Sequence, residues 1–436
     1  MRILIDGMNL ALEQGTGVAT YARMLAACIR REGHEVCVLY GRDMPAHADP
    51  ALREAAFFDA AEAPRRSRLR QWGDFLRGLR PVTPVTITAT GAVLRPPGDP
   101  RFPEGATLLN HRSLFQQALS RFRNGMGFLE VAVPADVAVA HWTFPMPVRA
   151  INAPNVYTIH DLVPLKLPYA TLDSKPFHHR LLGEIARSAD AIATVSEASR
   201  DDILDLLPIA PGKVVNTSQA VAPPDLCGAE DAAGDAVALT RFAERRGPDG
   251  ATCALFAPQG YFLFVGAIEP KKNVGRIIEA HHASGVEAPL VIAGRRGWLC
   301  DAEMRAIARS PRIVHLDYVS RSELALLMRQ CRALLFPSLY EGFGLPVVEA
   351  FLSGAPVIGS TVGACAEIAG DAAMLVDPYD IAALRAAILA FDAPDWPTLR
   401  ADYAARGRRR AEAFSVGRVA PGLAAFHADV AARRLL

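Results

Sequence analysis

Apolar strand-like runs alternate with stretches of helical period along most of the chain. Arg2–Ile5 is a short β-rich run, Val18–Arg31 has helical spacing, and Glu35–Tyr40 is strand-like again, which predicts a βαβ opening. The alternation returns in Asn155–Ile159, a helical region around Phe177–Ser188, Ala191–Val195 and a helix opened by Ser196. It continues through Tyr261–Gly266, Val274–His282, Pro289–Ala293, Arg312–Leu316, Ser322–Met328, Ala333–Pro337, Leu345–Ser353 and Ala355–Ile358. Strands alternating with helices imply parallel sheets covered on both faces, so the class is α/β. Two stretches break the beat. Residues 226–252 carry Gly, Ala, Asp and Pro without a clear strand, and residues 50–135 are Arg- and Pro-rich and poorly periodic. We read the first as a boundary between two doubly wound, Rossmann-like domains facing a cleft, and the second as an insertion. The expected division is 1–245, with the insertion at about 50–135, then 255–415, then a C-terminal helix at 416–436 that packs back on the first domain.

Composition narrows the function classes. A chain of 436 residues, 51% hydrophobic, is long enough for two or three domains with cores of their own. With 47 Lys+Arg against 46 Asp+Glu it lacks the basic surplus of a nucleic-acid protein, so no nucleic-acid partner is expected. Seven cysteines, widely spaced and without a C-x-x-C, make neither a disulfide framework nor a zinc ribbon. The start, MRILIDGMNLAL, lacks the regions of a signal peptide, and no uncharged run is long enough to span a membrane, so a cytoplasmic location is expected.

The most informative run is Phe336 to Glu349, FPSLYEGFGLPVVE. A strand ends in a Gly-containing loop, and a helix begins near Leu345 with Pro346 in its first turn, where a missing N–H costs nothing. The amides of about Gly342–Leu345 are then left without helical partners, a site suited to a phosphate. Glu341 precedes the helix and Glu349 lies one turn inside it among apolar neighbours. Glu341 could simply complement the helix dipole and Glu349 face solvent. A carboxylate in so apolar a helix is also explained by a ligand offering paired hydroxyls, such as a sugar or ribose.

The spelling E-G-F-G-L-P-V-V-E followed by A-x-x-x-G-x-P-V resembles the signature of family 4 retaining glycosyltransferases with the GT-B fold. Val265-Gly-Ala-Ile-Glu-Pro-Lys-Lys-Asn273 resembles that family's donor-phosphate segment, and Ile159-His-Asp-Leu162 its segment bordering the sugar. Gly15-Thr-Gly17 followed by Tyr21 resembles the N-terminal Gly-rich loop, and Thr194-Val-Ser196 a strand end before a helix. The resemblance implies that Lys272 contacts the donor diphosphate, that Glu349 binds the ribose hydroxyls, and that Glu341 with the backbone of Gly342, Phe343 and Gly344 holds sugar and phosphate. His160 would lie against the sugar from the other domain, and Tyr318 and Val319 against the base. Gly15, Gly17, Gly266 and Leu345 complete the expected donor site. Many relatives have Arg after the glycine matching Gly266, whereas this chain has Ala267; Lys271, Arg295 or Arg296 could substitute.

No metal site is expected: no D-x-D triplet occurs, and the pairs His178-His179 and His281-His282 occupy adjacent helical positions that do not share a face. No cofactor is expected either, the nucleotide sugar being a substrate. The implied chemistry is retaining transfer of a sugar, by subgroup resemblance mannose from GDP-mannose, to a saccharide or lipid-linked saccharide acceptor. Two rivals stay open, a sugar-nucleotide 2-epimerase and a catalytically inactive nucleotide-binding scaffold.

Arg65–Pro81, RRSRLRQWGDFLRGLRP, holds six arginines and one aspartate. Leu69, Trp72, Leu76 and Leu79 fall at helical spacing, with Arg66, Arg70, Arg77 and Arg80 on another arc. This reads as a membrane-surface element, Arg65–Arg80, against a basic loop or a helix packed on its own domain. Sedimentation with anionic liposomes checks it: the wild type should pellet and an Arg-to-Glu variant should not, and equal recovery in the supernatant would end the idea.

Overall fold

The computed structural model describes all residues except 13–16, 46, 48, 61–79, 95–97, 224–238, 240–243, 247–251 and 434–436. The first half contains β1 (Arg2–Asp6), β2 (Glu35–Tyr40), β3 (Val85–Ile87), β4 (Thr107–Asn110), β5 (Leu129–Val131), β6 (Val137–Trp142), β7 (Val148–Ala150), β8 (Asn155–Thr158), β9 (Ala191–Thr194) and β10 (Val214–Asn216). Eight of these form one sheet in the order β10-β9-β8-β6-β1-β2-β4-β3. It is parallel except at β3, which runs antiparallel to β4. After the hairpin of β11 (Glu244–Arg246) and β12 (Thr252–Ala254) come β13 (Phe262–Val265), β14 (Leu290–Ala293), β15 (Ile313–Leu316), β16 (Leu334–Phe336), β17 (Val357–Ser360) and β18 (Met374–Val376). These six make an all-parallel sheet in the order β15-β14-β13-β16-β17-β18.

The strand sequences account for this architecture. FLFV in β13 and LVIA in β14 are buried at every position, as befits parallel strands covered by helices on both faces. Among the parallel strands the order reverses between β1 and β6 in the first sheet and between β13 and β16 in the second. Crevices for ligands open at the carboxyl ends of strands flanking such a reversal. The loops there carry Asp6, Thr143, Gly266–Lys272 and Pro337–Gly344.

The stretch 50–135 differs from its reading as an insertion. It supplies a helix at Pro50–Asp59, β3, β4, a helix at Leu114–Arg123 and β5, and β4 lies inside the sheet between β2 and β3. Its strands are only three or four residues long, too short to show a period. Of the basic segment Arg65–Arg80, residues 65–79 fall outside the described residues. Among the described residues no helix is long and apolar enough to cross a membrane.

The last helix, Val416–Arg433, lies on the first unit against the helix Gly17–Arg31. Its His427 reaches into that unit, with Nε2 2.8 Å from His141 Nδ1. His141 Nε2 lies 2.8 Å from Thr158 Oγ1, which lies 2.9 Å from the Tyr21 hydroxyl. All four side chains are buried, and burial pulls the His427 imidazole down to about 3, so the pair stays neutral and one ring must donate to the other. Replacing His427 by Ala leaves a buried imidazole nitrogen of His141 without its partner. The expected loss is about 1–3 kcal/mol, read as a lower urea midpoint.

Candidate functional site at the seam of the two sheets

The segment after β13 and the segment after β16 lie side by side because their strands are neighbours. Gly266 adopts φ +135°, and the backbone then turns so that Lys271 and Lys272 face the loop after β16. Gly294 makes room for this: a Cβ there would fall 1.9 Å from the Gly266 carbonyl oxygen. The loop after β14 is zipped onto the same segment by Ile268 N–H to Arg295 O and Gly297 N–H to Ile268 O.

Five charged side chains converge. Lys272 Nζ is 2.6 Å from Glu341 Oε1, while Lys271 Nζ lies 3.9 Å from Glu341 Oε2, 3.9 Å from Glu269 Oε1 and 4.0 Å from Asp161 Oδ2. Burial disfavours charge on Glu341, but Lys272 and Lys271, with a hydrogen bond from Lys272, hold its carboxyl below the ordinary value. Burial likewise opposes charge on Lys271, and Glu341, Asp161 and Glu269 outweigh it, so the ammonium is held charged. Glu269 is pushed up by burial, with the two lysines opposing. These are charges that make one another tolerable in a dry crevice.

Beside them, the helix Leu345–Leu352 starts from Gly344, whose φ of +94° only glycine adopts without strain. Among the described residues the amides of Gly342, Phe343, Gly344 and Leu345 have no acceptor, which leaves four free donors at the helix start. The Phe343 ring turns away, edge-on to Phe414 with centroids 5.4 Å apart, so this residue offers the crevice only its backbone. Glu349, one turn into the helix, is partly buried, and burial raises its carboxyl while Arg321 opposes the rise.

The first sheet meets this loop through backbone. A Cβ on Gly342 would lie 2.1 Å from the His160 carbonyl oxygen. The Ser196 hydroxyl, which caps the helix Glu197–Leu206, donates to Gly342 O at 2.7 Å. The Ser199 hydroxyl lies 2.9 Å from His160 O and 3.1 Å from Gly342 O. Glu367 of the second unit accepts the amides of Glu197 and Ala198, each at 2.9 Å. His160 Nε2 is 2.9 Å from the Thr143 carbonyl, which can only accept, so Nε2 carries the proton and Nδ1 keeps its lone pair. The Tyr21 ring stands edge-on to His160, centroids 4.7 Å apart. Thr143 N–H in turn donates to Asp6 Oδ2 at 2.5 Å.

Of the residues singled out in the sequence, Lys271, Lys272, Glu341, Gly342 and His160 come together here. Gly17 lies at a helix start, and a Cβ on it would be 3.4 Å from Leu345 Cδ1. Arg295 is exposed and serves the segment through its carbonyl, and Arg296 is drawn to Asp301. Val319 packs partly against the core, whereas Tyr318 is 71% exposed. Gly15 lies outside the described residues. Sequence reading passed over Asp161, Glu269 and Glu367. Asp161 and Glu269 stand inside quoted motifs, as the neighbour of His160 and the first letter of E-P-K-K, while nothing local marks Glu367. Among the described residues no cluster of three or more His, Cys, Asp or Glu side chains is placed to hold a metal.

Two outcomes follow from this geometry. Glu367→Ala removes a carboxylate from a helix N-terminus and should cost about 1 kcal/mol in unfolding free energy, with a larger radius of gyration in solution scattering as the seam loosens. Burial raises Asp6 from 3.8 to about 6, so between those values the folded chain holds a proton that the unfolded chain has released. Its contribution is then full below pH 3.8 and fades as pH rises through about 6. Urea titrations from about pH 4 to 7 should therefore show wild type losing stability relative to Asp6→Asn.

Family models match most of the chain. Residues 15–216 match the Glycosyltransferase Family 4 description and residues 254–410 match Glycosyl transferases group 1. The chain is 33% identical over 285 residues to O-antigen chain mannosyltransferase B of Escherichia coli, covering 62% of this chain and 69% of that one. It is 26% identical over 453 residues to the MMP alpha-(1->4)-mannosyltransferase of Mycolicibacterium hassiacum, covering 96% and 95%. It spans only 30% of the length of the serotype-specific mannosyltransferase WbdA of Escherichia coli, at 27% identity over 56% of this chain. Among solved structures, sucrose-phosphate synthase from Thermosynechococcus elongatus superposes with TM-score 0.65 at 16% identity over 99% of this chain and 100% of that one. Anabaena HepE, in complex with UDP and glucose, gives 0.62 at 13% over 98% and 100%. A paired-sheet architecture with its crevice at two strand-order reversals, both halves matched by glycosyltransferase families, means that this chain belongs to the family 4 glycosyltransferases of GT-B fold.

Proposed function

We propose that this glycosyltransferase moves mannose from GDP-mannose, with retention, onto a saccharide or lipid-linked saccharide acceptor in surface polysaccharide synthesis. The observation that carries the reading is the Lys272–Glu341 pair at the strand-order reversal, with Lys271 behind it and four unpartnered amides beside it. Mannose is favoured by the names of the Escherichia coli and Mycolicibacterium hassiacum relatives, and a nucleotide-linked donor by the UDP and glucose bound to Anabaena HepE.

In this reading the bond from the anomeric carbon to the β-phosphate oxygen breaks while the acceptor oxygen bonds to the same face. The acceptor proton passes to the departing phosphate. Charge that grows on the diphosphate meets Lys272 and the amides of Gly342–Leu345, already fixed before the donor arrives. Lys271 supports it in place of the arginine absent at Ala267, and no metal or cofactor is required. Glu341 holds Lys272 in position and faces the sugar, His160 borders the sugar from the other sheet, and Glu349 takes the ribose hydroxyls. Location at the inner membrane surface through Arg65–Arg80 belongs to the same proposal.

Nucleotide release from a panel of GDP- and UDP-sugars, with and without a lipid-linked or saccharide acceptor, tests the reading. GDP release from GDP-mannose that rises with acceptor is the expected result; tight nucleotide binding without turnover on any donor would sink it in favour of a scaffold. Lys272→Ala should lower turnover by about 10²–10³-fold, as for loss of one preorganised charge-stabilising group. Glu349→Ala should weaken nucleotide binding in calorimetry.

A further inference from the structure

At the outer end of the charged cluster the crevice opens onto an apolar rim shared by both units. Tyr169 and Leu172 of the first unit are 63% and 72% exposed, and Trp298, Leu299 and Tyr379 of the second are 37%, 57% and 53% exposed. They are assembled across the seam. The Trp298 indole N–H donates to the Ala170 carbonyl at 2.9 Å, beside Tyr169 and Leu172. The Arg276 guanidinium lies 5.2 Å from the Tyr379 ring centroid and steadies it.

Two further observations tie the rim to the site and give it a purpose. Trp298 follows Gly297, whose backbone approaches the crevice so closely that a Cβ there would lie 2.6 Å from Ile268 O and 3.4 Å from Glu269 Cβ. The rim is thus continuous with Glu269, Lys271 and Asp161. Leu299 has φ +51°, a conformation unfavourable for a side chain of its size. Yet the strain leaves Leu299 exposed instead of packed, so core packing does not account for it. Outlying backbone held by its surroundings clusters at binding sites.

A sugar ring presents an apolar C–H face and a belt of hydroxyls. Exposed aromatic rings match the first, and the partly exposed carboxylate of Asp161 matches the second. A chain whose aromatic content is only 7% has gathered three exposed rings where the donor site opens. We propose that Tyr169, Trp298 and Tyr379 form a platform for the sugars preceding the acceptor residue of a neutral oligosaccharide. The platform is complete only when the two units are closed on each other, because Tyr169 belongs to one unit, Trp298 and Tyr379 to the other, and the Trp298–Ala170 hydrogen bond crosses the seam. An acceptor lying on it therefore favours the closed state in which the Lys272–Glu341 pair faces His160.

This inference rests on the glycosyl-transfer reading, and one experiment separates their failures. With the donor that the full-length wild type consumes, transfer is measured to a methyl mannoside and to α-linked mannose di- and trisaccharides, for wild type, Tyr169→Ala and Trp298→Ala. The KM of the wild type should fall with acceptor length. Both variants should lose that dependence, with KM for the trisaccharide raised about tenfold, while nucleotide affinity and transfer to the methyl mannoside stay as in wild type. Trisaccharide should also quench tryptophan fluorescence in wild type but not in Trp298→Phe. If wild type turns over no donor with any saccharide or lipid-linked saccharide acceptor, the glycosyl-transfer reading fails. If it does, and the variants keep the wild-type dependence on length, the platform is overturned. Unchanged saccharide KM with loss of binding to anionic vesicles would overturn it too, assigning the rim to a lipid surface.

Discussion

The two sheets meet where Gly342 backbone lies against the His160 carbonyl, too close for any side chain. Because the contact is backbone on backbone, it fixes the loop after β16 relative to the loop after β8 with little freedom left to side-chain rotation. Ser196, Ser199 and Glu367 then satisfy the polar groups that the contact buries, two of them from a helix start whose dipole favours the Glu367 carboxylate. Lys271, Lys272, Glu341 and His160, all with proposed roles at the donor, hang from these two loops or from the segment after β13. A substitution at Gly342 would force the units apart and separate His160 from Glu341 at once.

The charged cluster follows from the same topology. Strand order makes β13 and β16 neighbours, so a lysine pair after one and a carboxylate before the helix after the other are brought within hydrogen-bond reach. Neither charge would be stable in that crevice alone, since desolvation works against each and only the partner offsets it. The carboxylates hold the two ammonium groups in place, where the proposed reaction would set them against a diphosphate. Protein cations and helix amides fixed in advance are an economical way to meet charge that grows on a leaving group.

A second device ties the units together away from the crevice. The final helix crosses to the first unit, and its His427 enters a buried run through His141 and Thr158 to Tyr21, whose ring supports His160. His160 is thus braced from two sides, by Tyr21 and by a Thr143 carbonyl held in place through Asp6. The aromatic rim adds contacts across the seam at the outer end.

The sequence by itself determined the α/β class, because alternating strand and helix periods leave parallel sheets as the only way to bury both faces. It also determined the family, because E-x7-E with its Gly and Pro spacing spells out a loop and helix start that depend on local backbone chemistry. The inner place of β4 was not legible, since a strand of four residues shows no period and its partners are distant in the chain. Nor was the company kept by Lys271: Asp161 and Glu341 come from two other loops, and only the packed sheets bring them within 4.0 Å. Glu367, His427 and the aromatic rim belong to the same class. Each has an unremarkable local sequence and gains its partner from the other unit, so the tertiary structure alone decided its place, through contacts that only the closed pairing of the two sheets creates.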